Sequence, residues 1–276
     1  MGYPDQTTAH RAALDHMLAL IAAAPWGGQV VLRGSMLLTA YLGDAAREPQ
    51  DLDFVVLADG EPLEGVEWEP GYDWREVAPY GDLVARLGEN KLAARGVELE
   101  PEEASLSDEF GYEGYGSYEM SGARLEIPWH VTKDGEWRAP HGATQMDFAL
   151  DEKAMEASTW TRIPRLDGGD TLVRAASPQL SLVWKLLWLM QDTWIAGESN
   201  GKDLYDAVLL AELPGMTLDG ELLREIEEWE GLRPIDFTRE LDDLEIDWEQ
   251  FKRQCPQADG TLKDWIRRLE NALKIV

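Results

Sequence analysis

The sequence carries a single cysteine, Cys255, among 276 residues, which excludes an intramolecular disulfide and any cysteine cluster for zinc. A lone thiol fits a reducing compartment. Histidine is also scarce: the four, at positions 10, 16, 130 and 141, show no metal-ligand spacing. Basic residues are outnumbered, 25 Lys and Arg against 53 Asp and Glu, for a net charge of −28. That excludes a broad non-specific nucleic-acid surface, since such binding is driven by Lys and Arg releasing counterions from phosphates. A small basic site is still allowed, and the acidity suits a basic protein partner. Long apolar runs are missing. The longest, Leu180 to Met190, is interrupted by Lys185 and too short to span a bilayer. The first residues, MGYPDQTTAHRAAL, lack the basic start and apolar run of a signal peptide. The expectation is a soluble, cytoplasmic protein with no membrane contact. No internal repeat or low-complexity tract is present.

What the chain does have is the stretch Val30 to Val56, VVLRGSMLLTAYLGDAAREPQDLDFVV. A short apolar run, Val30-Val31-Leu32, breaks at Gly34-Ser35. The apolar segment Ser35 to Leu42 reads as a helix, and Asp51 to Leu57 as the next strand. A Gly-Ser turn between strand and helix exposes backbone N–H groups that can hold a phosphate. Asp51 and Asp53, one residue apart on a strand, point to the same side.

Ahead of this stretch, Thr7 or Thr8 can cap a helix to about Ala24, ended by Pro25-Trp26-Gly27-Gly28. Behind it, residues Ala58 to Tyr80 read as a long loop and Leu83 to Ala94 as helical. Asp108 to Ser117 reads as a loop, and Tyr118 to Met120 pairs with Arg124 to Val131 as a hairpin turning at Ser121-Gly122. Gln145 to Leu150 is a further strand. Leu166 to Asp170 reads as a linker, and strand signals fade beyond Arg165. Ser177-Pro178 opens a helix to about Trp194, Ser as cap and Pro at the first position. Helices over Asp203 to Leu213, Leu218 to Trp229, Phe237 to Leu244, Trp248 to Gln254 and Leu262 to Leu273 follow. The division expected is residues 1–165 as a core and 166–276 as a helical part.

Several residues stand out for chemistry, each with a plainer reading beside it. Asp51 and Asp53 are either solvated charge or a pair whose repulsion a divalent cation relieves. Asp147, the lone charge in Thr144 to Leu150, is an exposed strand position or a third carboxylate for a two-metal site. Lys185, the only charge between Ser177 and Gln191, either snorkels to solvent or is held inward to meet an anion such as a phosphate. Asp203 and Asp206, on one face of a helix, are favourable charges at its N-terminus, or one of them orients Lys185 or the nucleotide.

Together these residues resemble the AbiEii/AbiGii-type nucleotidyltransferases, a branch of the DNA polymerase β superfamily that includes the MenT toxins. The family's glycine turn corresponds to Gly34-Ser35 after Arg33, and its Arg-x-Ser-x-Asp-x-Asp run to Arg47, Pro49, Asp51 and Asp53. Its strand carboxylate corresponds to Asp147, its helical lysine to Lys185, and its basic-Asp-x-x-Asp helix start to Lys202-Asp203-Leu204-Tyr205-Asp206.

The resemblance implies an α+β fold, a polymerase β-like nucleotidyltransferase domain with a mixed sheet flanked by helices, followed by a mainly helical C-terminal part. It implies magnesium held by Asp51, Asp53 and Asp147, and an NTP whose triphosphate is taken by Arg33, Gly34, Ser35 and Lys185. Asp51, Asp53, Lys185 and Asp203 are then the catalytic group, with Asp206 beside the nucleotide. The acceptor is often a tRNA 3′ end, and an antitoxin restrains such an enzyme. Two other readings stay open. One is a relative that binds nucleotide or protein without catalysis; the other is a transferase acting on a small-molecule or protein acceptor.

Overall fold

The computed structural model describes residues 4–57, 73–107, 122–133, 136–149, 157–229 and 231–273. The first helix, α1 (Gln6–Ala23), is capped by Asp5, whose side chain accepts from the Thr8 N–H. Strand β1 (Val30–Arg33) leads into α2 (Gly34–Leu42), and β2 (Leu52–Val56) returns antiparallel to β1. After α3 (Tyr80–Glu89) come two three-residue strands, β3 (Val97–Leu99) and β4 (Ser105–Ser107). A long hairpin, β5 (Gly122–Lys133) and β6 (Glu136–Ala149), and a short one, β7 (Thr159–Pro164) and β8 (Asp170–Ala175), complete the sheet.

Among the described residues the strands form one eight-stranded mixed sheet in the order β3-β5-β6-β2-β1-β8-β7, with β4 also pairing β5. β2 runs parallel to β6 and β1 parallel to β8, so the four central strands converge on the turn at Gly34. Leu52 and Phe54 of β2 and Met146 and Phe148 of β6 are fully buried in the core. Phe54 and Phe148 stack with centroids 5.4 Å apart, and Tyr80 of α3 meets Phe148 edge-on. Leu14, Met17 and Ile21 of α1 are fully buried, each contributing about 1.5–3 kcal/mol of transfer free energy.

The C-terminal part is helical: α4 (Pro178–Ala196), α5 (Gly201–Ala211), α6 (Gly220–Trp229), α7 (Phe237–Glu240), α8 (Trp248–Gln254) and α9 (Leu262–Ala272). Ser177 caps α4 with Pro178 at its first turn, as the sequence predicts. The last helices close over α5 through an aromatic cluster of Tyr205, Trp248 and Trp265.

Three expectations are corrected. Leu166 to Asp170 is not a linker but the turn of the β7–β8 hairpin, made possible by Gly168 and Gly169 at φ +92° and +77°. Strand structure therefore continues past Arg165. β8 escapes notice because Leu172 is exposed while Thr171 is buried, which blurs its alternation. Gly122 does not turn a hairpin either: it lies in β5 opposite Ala149, and the partner strand is β6. The expected helix at 83–94 starts earlier and ends at Glu89. The loops expected at 58–72 and 108–117, and the strand at 118–120, lie outside the described residues.

Candidate active site

Gly34 opens α2 with φ +72°, a conformation L side chains rarely adopt. It is also pressed against β2: a Cβ there would stand 2.0 Å from Asp53 Oδ2. Glycine is thus required twice, once for the turn and once for the neighbour. Ser35 Oγ donates to Asp51 Oδ1 at 3.1 Å, so the turn holds both acids of the Asp51-Leu52-Asp53 run. Arg33 pairs in register with Asp53 across β1 and β2, and its guanidinium lies over the Trp184 and Trp188 rings of α4 at 4.9 and 5.5 Å.

Asp147 stands directly beside Asp53, its register partner on the parallel strand β6. Its carboxylate is clamped by Arg124 of β5 through two bonds, 2.8 and 2.9 Å, and receives a third from Gln145 at 3.1 Å. Burial, with Asp51 and then Asp147 adding against Arg33 and Lys185, pushes the Asp53 carboxyl up to about 7. The three acids therefore form a locally over-negative group. Hard carboxylate oxygens at Asp51 and Asp53 fit a magnesium ion, which would offset that charge. Among the described residues, no three His, Cys, Asp or Glu side chains close on one metal position. Asp147 has its oxygens turned to Arg124.

A second polar cluster lies across α4 and α5. Lys185 is 4% exposed, and Nζ reaches Asp203 at 2.8 Å and Asp206 at 3.1 Å. Snorkelling is excluded; the lysine points inward to anions. Arg47, in the segment before β2, donates to both oxygens of Asp206 at 3.0 and 3.2 Å. Two cations and two carboxylates thus balance in a buried quartet. Burial works against the charges of Lys185 and Asp203, yet Asp203 and Asp206 raise Lys185, and Lys185 and Lys202 hold Asp203 below the usual carboxylate range. Asp203 and Asp206 are hence more than favourable charges at a helix N-terminus.

The structure brings Arg33, Gly34, Ser35, Asp51, Asp53 and Asp147 together around one turn, and joins Lys185, Asp203 and Asp206 in the adjoining cluster. Sequence reasoning missed Arg124. It alternates with Glu126 on β5 and reads as ordinary surface charge, and only register sets it against Asp147.

The family described as the AbiEii nucleotidyl transferase toxin of type IV toxin–antitoxin systems matches residues 16–274. The chain belongs to that family. It is an AbiEii nucleotidyltransferase, and its mixed sheet with C-terminal helices is the fold of solved relatives. The protein JHP933 from Helicobacter pylori superposes with a TM-score of 0.53 at 14% identity, over 98% of this chain and 91% of that one. An H. pylori protein described provisionally as a nucleotidyltransferase does so with 0.53 at 15% identity, over 98% and 93%. No curated protein matches the AbiEii chain by sequence. No helix among the described residues is long and apolar enough to cross a membrane.

Proposed function

We propose that this AbiEii protein is a magnesium-dependent nucleotidyltransferase that moves an NMP from an NTP to an acceptor hydroxyl, and that the acceptor is a tRNA 3′ end, as in the MenT toxins. The observation that carries the reaction is the Gly34-Ser35 turn laid against Asp51 and Asp53, with Asp147 in register beside them. The N-terminus of α2 offers backbone N–H groups and the positive end of a helix dipole to the triphosphate. Arg33 and Lys185 add positive charge on that side. Bound magnesium on Asp51 and Asp53, joined by Asp147, would neutralise charge at the triphosphate and the leaving group.

The acceptor oxygen bonds to the α-phosphorus while the bond to pyrophosphate breaks in line. The hydroxyl proton passes to a carboxylate of the acidic group as the new bond forms. Asp203 and Asp206 hold Lys185 charged and oriented. Residues 1–165 supply most of the nucleotide-holding groups, and 166–276 bring Lys185 and Asp203. A toxin of this kind works under an antitoxin partner, and the charge of −28 suits a basic one.

The same acidity favours, as a second reading, a small hydroxylated acceptor in place of tRNA. Incubation with total tRNA and each labelled NTP in turn separates these. Label entering tRNA with wild type but not with Asp53→Ala supports the proposal. Transfer from none of the four NTPs to RNA, protein or small molecules would remove it.

A further inference from the structure

Beside Asp51, between the start of α1 and the middle of β6, is a cleft of about 250 Å³ that the reaction as derived above does not use. Gln6, His10, Glu48, Gln50, Trp129 and Gly142 line it. Two nitrogens here are buried without a hydrogen-bond partner among the described residues: His10 Nε2 and Trp129 Nε1. Trp129 is only 2% exposed, so its indole N–H has given up water for nothing in the protein. Such a group is costly to leave unpaired, and a ligand atom would recover that loss.

The position is built. Trp129 and Gly142 are register partners on β5 and β6, and a Cβ at 142 would come within 2.8 Å of the indole. Glycine leaves the ring its place. The His10 and Trp129 rings lie near-parallel, 17° apart with centroids at 6.0 Å, giving the cleft a flat wall. Burial lowers the His10 imidazole and the Asp51 charge raises it, so the cleft is within electrostatic reach of Asp51.

The lining chemistry selects the ligand. Among the described residues no lysine or arginine lines the cleft, and Glu48 does, so a phosphate is disfavoured. An indole donor, an imidazole, two amides and a carboxylate against a flat wall suit a neutral planar ring with donors and acceptors on its edge. The volume is below the roughly 300–1,000 Å³ of pockets that enclose whole drug-sized ligands. It admits one ring system, so sugar and phosphates would lie outside it.

We infer that this cleft receives a nucleobase, that of the donor NTP or the terminal base of the acceptor, with Trp129 Nε1 and His10 Nε2 bonding its edge and Glu48 favouring an exocyclic amino group. This rests on the nucleotidyltransferase reading. The test uses the full chain with Trp129→Phe and His10→Phe, which keep a ring and remove the nitrogen. Titration calorimetry with the four NTPs and with inorganic tripolyphosphate is paired with transfer kinetics. His10, less buried than Trp129, provides the second variant if Trp129→Phe packs poorly.

A donor base in the cleft predicts that each variant loses about fivefold or more in affinity for the preferred NTP, one buried hydrogen bond, and nothing for tripolyphosphate. Glu48→Gln then narrows the preference for amino-bearing bases over UTP. An acceptor base predicts unchanged NTP binding and a KM for acceptor RNA raised by a similar factor. Variants that fold and keep both within twofold of wild type, while transfer continues, overturn the proposal and leave a water-filled cleft only. Wild type that neither binds an NTP nor transfers overturns the nucleotidyltransferase reading itself, and this inference with it.

Discussion

Gly34 and Asp53 touch so closely that the glycine has no room for a methyl group: a Cβ would sit 2.0 Å from the Asp53 carboxylate oxygen. The turn that would hold phosphate and the acid that would hold metal are therefore one packed unit. Gly34→Ala must both adopt φ +72° and displace Asp53. We expect a loss of about 1–3 kcal/mol in stability and loss of nucleotidyl transfer. Denaturant melts and the labelled-NTP assay measure the two.

Asp53 also gives a pH dependence. Its carboxyl stands at about 7 in the folded protein against 3.8 as an ordinary group, so the folded state keeps a proton the unfolded chain has released. Stability of the metal-free protein is thus highest below the ordinary value and falls as pH rises toward and through 7. Asp53→Asn removes that loss. The variant should melt above wild type at pH 8, by roughly 1–3 kcal/mol after screening, with the margin shrinking toward pH 5. It should transfer nothing. A margin that does not change between pH 5 and pH 8 would contradict the assignment.

Lys185 anchors the buried quartet. Lys185→Met leaves Asp203 buried without its 2.8 Å cation, while Asp206 retains Arg47. The expected cost is about 3–5 kcal/mol, the range for a broken buried pair. The double variant Lys185→Met, Asp203→Asn should recover most of that stability without recovering transfer. A double-mutant cycle by thermal unfolding would show the coupling.

Arg124 competes for Asp147. With two bonds from the guanidinium to the carboxylate, Asp147 can join a metal only by yielding them. Arg124→Gln should therefore tighten Mn²⁺ binding, read by electron paramagnetic resonance, by several-fold. It should also lower the Mg²⁺ concentration needed for half-maximal transfer. Unchanged or weaker Mn²⁺ binding would mean that Asp147 serves the sheet through Arg124 and not the metal.

Much of the site was legible because each residue broke a local pattern. Gly34 interrupts an apolar run, Asp147 is a lone charge in a strand, and Lys185 a lone charge in an apolar helix. A charge in such a setting needs a partner, and the sequence shows the need without naming the partner. The partners come from register and helix packing, which local pattern does not contain. Arg124 meets Asp147 only because β5 and β6 pair at that offset, and Arg47 meets Asp206 only because α5 packs beside α2. Strands of three residues, β3 and β4, are too short for alternation to register. The β7–β8 turn carried the glycines and aspartates of a linker, and composition alone does not separate the two.

β8 sits between β1 and β7, with Leu32 and Ala175 paired in parallel. The chain must therefore be synthesised past Ala175 before Val30–Arg33 gains its second neighbour. Until then the strand leading into the Gly34 turn is an open edge, available to any other strand nearby. A chain ended at residue 165 should aggregate and be inactive, because the second neighbour of β1 is made only after Gly34 has long emerged.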